Sequence, residues 1–325
     1  MQNLGTLDNQ YIILPPKLYG RLRKKYHVRQ NQNQNEFLIE LPIDNNINAF
    51  PANEINILNI LQNIDNPNII HYIGNGNGPL VLNGRPPVNK PYLVFEYAPR
   101  HDLFNYIFRI GRFTERQAKL IFKKILNGIR AIHNAGICHR DIKPENILLD
   151  ENYNPKIGDY SLSCLNANNL QQFAGTIIYA SPEIILEQPY DGIKSDIFSL
   201  GQLLFNLVTG RYGFKSARDD DPFYTLIRQQ NYAAYWNRPE FVQLNLSDNF
   251  KNLFVRMVAS DPNQRPSIDD ILFNDAWMQE INNLNAEQMN TLENEVRNEL
   301  QNREAQILAN LNADNLEIDE HNENL

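Results

Sequence analysis

Through the first hundred residues apolar positions come in short alternating runs, and beyond them the spacing turns helical. Tyr11-Ile12-Ile13-Leu14, Tyr19 to Val28 and Glu36 to Leu41 read as strands, with the polar cluster Asn31 to Asn35 as the loop between the last two. Asn53 to Leu61 is apolar at helical spacing. Ile69 to Ile73 predicts a fourth strand, and Gly74 to Lys90, rich in Gly, Asn and Pro, predicts a loop. Tyr92 to Ala98 then reads as a strand that runs out into a linker. Thr114-Glu115-Arg116-Gln117 is a capping box opening a long helix, with Ile121, Ile125, Ile129 and Ile132 on one stripe and Gly136 at its end. Ile147 to Leu149 and Lys156 to Gly158 predict a short hairpin around Asp150 to Pro155.

Between that helix and that hairpin lies His139-Arg140-Asp141-Ile142-Lys143-Pro144-Glu145-Asn146. Asp141 can accept a hydroxyl proton, Lys143 can meet a phosphoryl oxygen, and Asn146 can hold a metal ion through its amide oxygen. That is the division of labour that in-line phosphoryl transfer needs. A lone Asp-x-Lys carries little information, whereas eight residues with the Pro and Asn in place form a specific signal.

Length and composition fit this chemistry. The chain has 325 residues, enough for one large two-lobed domain or two ordinary ones, and 42% of them are hydrophobic. No apolar run reaches spanning length, and Met1 to Gln10 is too polar for a signal peptide, so a cytosolic or nuclear protein is expected without membrane contact. Cys138 and Cys164 show no metal-ligand spacing and suit reduced thiols. The net charge of −8 is unevenly placed: Glu280 to Leu325 carries eleven acidic residues and two arginines, which leaves the preceding 279 residues at about +1. No basic stripe with interleaved aromatics points to nucleic acid.

The eight-residue string resembles the catalytic loop of eukaryotic serine/threonine protein kinases of the calcium/calmodulin-dependent-like group. The resemblance covers about residues 11 to 279 and implies an α+β, bilobal fold with a β-rich small lobe (about 11–97) and a mainly helical large lobe (about 98–279). Residues 1–10 are then an extension and residues 280–325 an acidic helical tail. It implies ATP and Mg2+, with Asp141, Lys143 and Asn146 catalytic and Asn146 with Asp159 on the metal. The nucleotide falls to Gly20, Leu22, Leu38, Phe95, Glu96, Ala98 and Leu148, with Phe95 as gatekeeper. Asp159-Tyr160-Ser161 stands where the family has D-F-G, and Ser181-Pro182-Glu183 where it has A-P-E. Glu183 has its family partner in Arg265, and Asp196 anchors the catalytic loop. Between Leu165 and Gly175 there is no Ser, Thr or Tyr to take the activating phosphate opposite Arg140. Glu145 and Asp102 resemble the acidic pair that reads a substrate arginine, and Asp102 equally suits a helix N-cap.

The small lobe departs from the family pattern. G-x-G-x-x-G falls on Pro15, Lys17 and Gly20, and Pro15 has no N–H to offer a phosphate. In Phe37-Leu38-Ile39-Glu40 a glutamate replaces the phosphate-binding lysine, and Leu38 replaces the alanine that leaves room for adenine. An attraction of about 4 kcal/mol at about 4 Å and an effective dielectric of about 20 becomes a repulsion of similar size. Glu54, the expected partner of that lysine, faces Glu40. The helix carrying it then swings out unless one glutamate is protonated or a strand-two cation, Lys24 or Arg23, intervenes; Lys17 is a further candidate. Two functions follow as alternatives: a weak or atypical kinase acting on protein serine or threonine, or a pseudokinase scaffold that binds protein partners. The tail spaces Leu284, Leu292, Val296, Leu300, Ile307 and Leu311 as an amphipathic helix that docks, pairs or binds a partner.

Overall fold

The computed structural model of the chain describes residues 4–19, 23–43 and 50–322, with the side chains of 16–19 and 311–322 left aside. The chain divides into two compact units, Met1–Pro99 and Arg100–Leu325. The first is rich in sheet and the second mainly helical, so the class is α+β.

In the first unit, strands β1 (Gly5–Leu7), β2 (Tyr11–Tyr19), β3 (Arg23–Gln30), β4 (Glu36–Pro42), β5 (Tyr72–Leu82) and β6 (Val88–Glu96) close a barrel in the order β1-β2-β3-β4-β6-β5. Helix α1 (Ala52–Leu61) follows β4. Strand alternation explains the core: Tyr26, Val28, Ile39 and Leu41 point inward with Leu7, Tyr11, Ile13 and Tyr92, while Leu38 and Glu40 take the opposite face of β4.

Two expectations bear on this unit. Within the expected N-terminal extension, residues 1–10, the described segment Gly5–Leu7 joins the barrel, pairing antiparallel with both Tyr11–Ile13 and Leu80–Leu82. Gly74 to Lys90 is not a loop: the strand expected at Ile69 to Ile73 begins at Tyr72 and runs to Leu82, pairing Gly76 with Tyr92 and Gly78 with Lys90. The glycines there make room. A Cβ on Gly76 would lie 2.4 Å from the Tyr92 ring, and one on Gly78 would lie 2.2 Å from the Asp8 carboxylate. Tyr92 crosses the strand over this gap and donates its hydroxyl to Asp8 Oδ2 at 2.7 Å. Burial, reinforced by that hydrogen bond, pushes the Tyr92 hydroxyl well above the ordinary phenol range.

The second unit starts with β7 (Arg100–Asp102), which pairs with β9 (Ile147–Leu149). Helix α2 (Glu115–Asn134) has the capping box the sequence spells: Gln117 N donates to Thr114 Oγ1 and Thr114 N donates to Gln117 Oε1. Its isoleucine stripe is buried, and Gly136 takes the left-handed turn (φ 73°) that sends the chain into β8 (Ile137–Cys138). β9 and β10 (Pro155–Ile157) form the predicted hairpin, and β11 (Cys164–Leu165) returns to pair with β8. The short α3 (Pro182–Ile185) precedes α4 (Gly192–Thr209), which is buried along nearly its whole length. Around α4 stand α5 (Pro222–Arg228), α6 (Tyr232–Trp236), α7 (Pro239–Val242) and α8 (Asp248–Met257), and α9 (Ala276–Asn282) packs against α2 and α8.

The tail is α10 (Ala286–Asn322), and of the fates open to it in the sequence it docks, against α2 and the π-helical turn Asn105–Ile110. Leu292, Val296, Leu300 and Ile307 are buried by that contact. Arg303 fixes the register. Its guanidinium donates to the carbonyls of Tyr106, Gly111 and Arg112, lies 3.9 Å from the centre of the Phe113 ring, and pairs with Glu299. Next to it Glu304 accepts from Tyr153 Oη at 2.5 Å and Arg100 at 3.1 Å. An Arg303→Ala variant leaves buried carbonyls without donors and is expected to destabilise the second unit by about 2–4 kcal/mol, read as a lower urea midpoint.

Candidate active site

In the first unit the site-bearing face of the sheet is built around a buried charge cluster. Arg23 NH1 donates to Glu54 Oε1 at 2.6 Å and to Glu40 Oε2 at 3.2 Å, while NH2 donates to Glu54 Oε2 at 2.5 Å. Lys25 Nζ lies 3.1 Å from Glu40 Oε1. Register explains the grouping: Lys25 is directly opposite Glu40 in the β3–β4 ladder, and Arg23, two residues away, shares its face. Lys24, the other strand-two candidate, is exposed. Two cations and two carboxylates sum to zero, so the cluster can be buried as a unit. Burial alone would lower the Arg23 pKa, but Glu54 and Glu40 outweigh it and move it up. The guanidinium also lies 4.7 Å from the centre of the Phe50 ring. Helix α1 is therefore tied to the sheet through Glu54, with the cation supplied from β3 where the family resemblance supplies a lysine from the next strand.

The nucleotide residues expected in this unit fall as follows. Leu38 and Phe95 are cross-strand partners, both buried, and Phe95 packs against Tyr72 at 5.5 Å between ring centres. Glu96 ends β6, and Ala98 lies in the segment after it. Gly20 and Leu22 lie outside the described residues, and so does the Lys17 side chain.

In the second unit the catalytic loop hangs from Asp196, fully buried in α4. Its carboxylate accepts the backbone N–H groups of His139 and Arg140, each at 2.8 Å, and meets His133 Nε2 at 2.8 Å. These bonds hold Arg140 at φ 64°, a conformation that side chains rarely adopt. Asp141 is thereby presented to three donors: Lys143 Nζ at 2.7 Å and Asn146 Nδ2 at 3.0 Å on one oxygen, and Thr176 Oγ1 at 2.9 Å on the other. Lys143 also donates to Thr176 at 2.9 Å and closes the ring. Gly175 sets the position of Thr176. Its φ is 106°, and a Cβ there would lie 2.5 Å from the Arg140 carbonyl oxygen. The bonds of Thr176 to the catalytic pair were not legible in the sequence.

Asn146 spends its amide N–H on the Asp141 carbonyl and carboxylate, which leaves Oδ1 for a cation. Asp159, at φ 62°, follows Gly158, whose carbonyl meets His139 Nε2 at 3.0 Å. Ser161, in place of the family's glycine, donates its hydroxyl to Asp159 Oδ1 at 2.7 Å and braces that carboxylate. One amide oxygen and one carboxylate suit magnesium, which typically takes one or two protein carboxylates and completes its shell with phosphates and water. Leu148 sits in β9, half-buried.

Arg140 finds neutral partners instead of a phosphate. Its Nε donates to the Leu162 carbonyl at 2.6 Å and NH1 donates to Tyr190 Oη at 3.3 Å, while Tyr190 in turn donates to the Gln172 carbonyl. Glu183 and Arg265 form a two-pronged buried pair at 2.6 and 2.8 Å. Asp102 caps the turn that follows it by accepting from Asn105 N at 3.0 Å. Burial raises the pKa of both Asp102 and Glu145, and one oxygen of Glu145 is buried without a hydrogen-bond partner.

A helix thus delivers a His-Arg-Asp loop onto a buried carboxylate, and Lys143 and Asn146 of the same loop meet Asp141. The family model described as the protein kinase domain matches residues 26–278, and the chain belongs to that family. Among its relatives is the probable serine/threonine-protein kinase KCC4 of Saccharomyces cerevisiae, 39% identical over 57% of this chain and 18% of the relative. CBL-interacting protein kinase 11 of Oryza sativa subsp. japonica is 36% identical over 61% of this chain and 39% of its own length. Sperm motility kinase 2B of Mus musculus is 31% identical over 68% and 42%. The chain thus spans less than half the length of these relatives, and its kinship is with serine/threonine kinases.

Arg23→Met removes the cation that neutralises Glu54 and shares Glu40 with Lys25. Leaving a buried carboxylate uncompensated is expected to cost about 3–5 kcal/mol, measured as denaturant stability of the variant against the parent chain.

Proposed function

We propose that this chain is an atypical serine/threonine protein kinase that transfers the γ-phosphoryl group of ATP to protein hydroxyls, with the small-lobe cation moved from the third strand of the family pattern to Arg23. The observation that carries this reading is the Arg23 bridge to Glu54. It supplies the cation–glutamate tether that the glutamate at position 40 would otherwise have removed. Asp141 accepts the substrate hydroxyl proton, and Lys143 stabilises charge on the transferred group. Bound magnesium, held by Asn146 and Asp159, would neutralise charge on the phosphate oxygens. By the family pattern, backbone groups of Glu96 and Ala98 would meet the adenine edge, with Leu38 and Phe95 beside the ring.

The preferred substrate carries a basic residue near its acceptor. Glu145 supports this, since a buried carboxylate oxygen without a donor is costly until a guanidinium or ammonium meets it. Glu145→Gln is expected to raise KM for an arginine-containing peptide at least tenfold while leaving KM for ATP unchanged, in steady-state assays varying each substrate in turn.

The alternative, a scaffold that binds protein partners without phosphotransfer, is favoured by Leu38, which fills the place of the family's alanine. Thermal unfolding with millimolar ATP and magnesium separates the two. Saturation at about a hundred times the dissociation constant stabilises the folded state by about 2.7 kcal/mol. Arg23→Met is expected to lose this shift, and Arg23→Met with Glu40→Lys, which returns a lysine to the third strand opposite Glu54, is expected to regain it. Asp141→Asn keeps the shift and loses phosphotransfer. Absence of any shift in the parent chain would establish the scaffold reading instead.

A further inference from the structure

Cys138 and Cys164 take no part in the chemistry above, yet they are direct partners in the antiparallel pair of β8 and β11. Their sulfurs lie 3.2 Å apart, and both side chains are buried. Residues directly opposite in an antiparallel ladder have Cα atoms about 4.5–5.5 Å apart, within the span of about 4.4–6.8 Å that a disulfide bridges. A disulfide is about 2.05 Å long, so closure needs roughly 1 Å of sulfur movement, which side-chain rotation can supply. Gly192, at the start of α4, leaves the space that the Cys138 sulfur occupies, since a Cβ there would lie 2.4 Å from it.

We propose that Cys138 and Cys164 form a reversible disulfide under two-electron oxidation by a peroxide, stapling the start of the activation segment to the strand that leads into His139-Arg140-Asp141. The ring so closed spans residues 138 to 164 and contains Asp141, Lys143, Asn146 and Asp159. The bond adds a covalent tie to segments already joined by the β8–β11 ladder and by the bonds of Arg140 to neutral oxygens, in a stretch that lacks a phosphate acceptor.

Cys164 is the sulfur that reacts first. The hydrogen bond it shares with Cys138, aided by the Arg140 guanidinium, lowers its pKa against the opposing effects of burial and of Asp196. The Cys164 thiolate attacks a peroxide oxygen. The O–O bond breaks, hydroxide leaves and takes a proton to become water, and Cys164 becomes a sulfenic acid. Cys138 then gives up its proton and attacks the sulfenic sulfur. The S–S bond forms, the S–O bond breaks, and the second water leaves with that proton. Two thiols have lost two electrons, and the peroxide has become two waters. Local opening of the segment after Cys164, which is exposed at Asn166, Asn168, Asn169 and from Gln171 to Phe173 but packs Ala167 and Leu170 over the two sulfurs, gives the oxidant its way in.

The test uses the full chain treated with hydrogen peroxide, quenched with an alkylating agent and digested without reductant. A peptide joining Cys138 to Cys164 is expected, lighter than the two free peptides by two hydrogens, and a dithiol should return both thiols. Limited proteolysis within residues 165–174 should slow at least threefold in the oxidised chain and recover on reduction. Cys138→Ala and Cys164→Ala, made separately to keep the pocket apolar, should each abolish the linked peptide and the protease effect. Oxidation that stops at sulfinic acid, failure to react, or a linked peptide without slower cleavage would each overturn the proposal. None of these readouts depends on phosphotransfer.

Discussion

A carboxylate cannot be buried on β4 without a cation to meet it, and this requirement organises the first unit. Glu40 and Glu54 are each about 5% exposed or less, so Arg23 and Lys25 are drawn inward with them. The arrangement depends on the planar guanidinium. Arg23 spans two carboxylates with a rigid fork of donors, which an ammonium at the same position could not reproduce. Because β3 is only a ladder rung away from β4, moving the cation between strands keeps the charge balance while changing which residue carries it.

The second unit solves a related problem with neutral groups. Asp196 holds the backbone of His139 and Arg140 in a conformation that the local chain would avoid, and the strain is held in place by three hydrogen bonds to one buried carboxylate. With that backbone fixed, the Arg140 side chain needs partners. Leu162, Tyr190 and Gln172 form a chain of oxygens that satisfies it without added charge. Leu162 and Gln172 are thus held from outside their own stretch, by Arg140 of the catalytic loop and by Tyr190.

Motifs with fixed spacing were legible before the fold. The capping box at Thr114, the catalytic loop and the Glu183–Arg265 pair each rest on a local pattern or on matched family positions. What the sequence hid was cross-strand. Gly74 to Lys90 reads as a loop because glycine and asparagine mark turns, but here Gly76 and Gly78 clear the path of Tyr92 and Asp8, a reason visible only once β5 and β6 are aligned. The choice between Lys24 and Arg23 was open for the same reason: a one-residue step along β3 reverses the face, and only the register with Glu40 decides it. Gly5–Leu7 is too short to register as a strand until its two neighbours are known.

That short strand reaches beyond packing. By pairing with β2 on one side and β5 on the other, Gly5–Leu7 consumes the backbone donors and acceptors that would line two sheet margins at that end of the barrel. A protein that recognises its partners by lending them a strand needs such a margin. Over this span the first unit has none to lend, so recognition there must proceed through side chains on its outer faces.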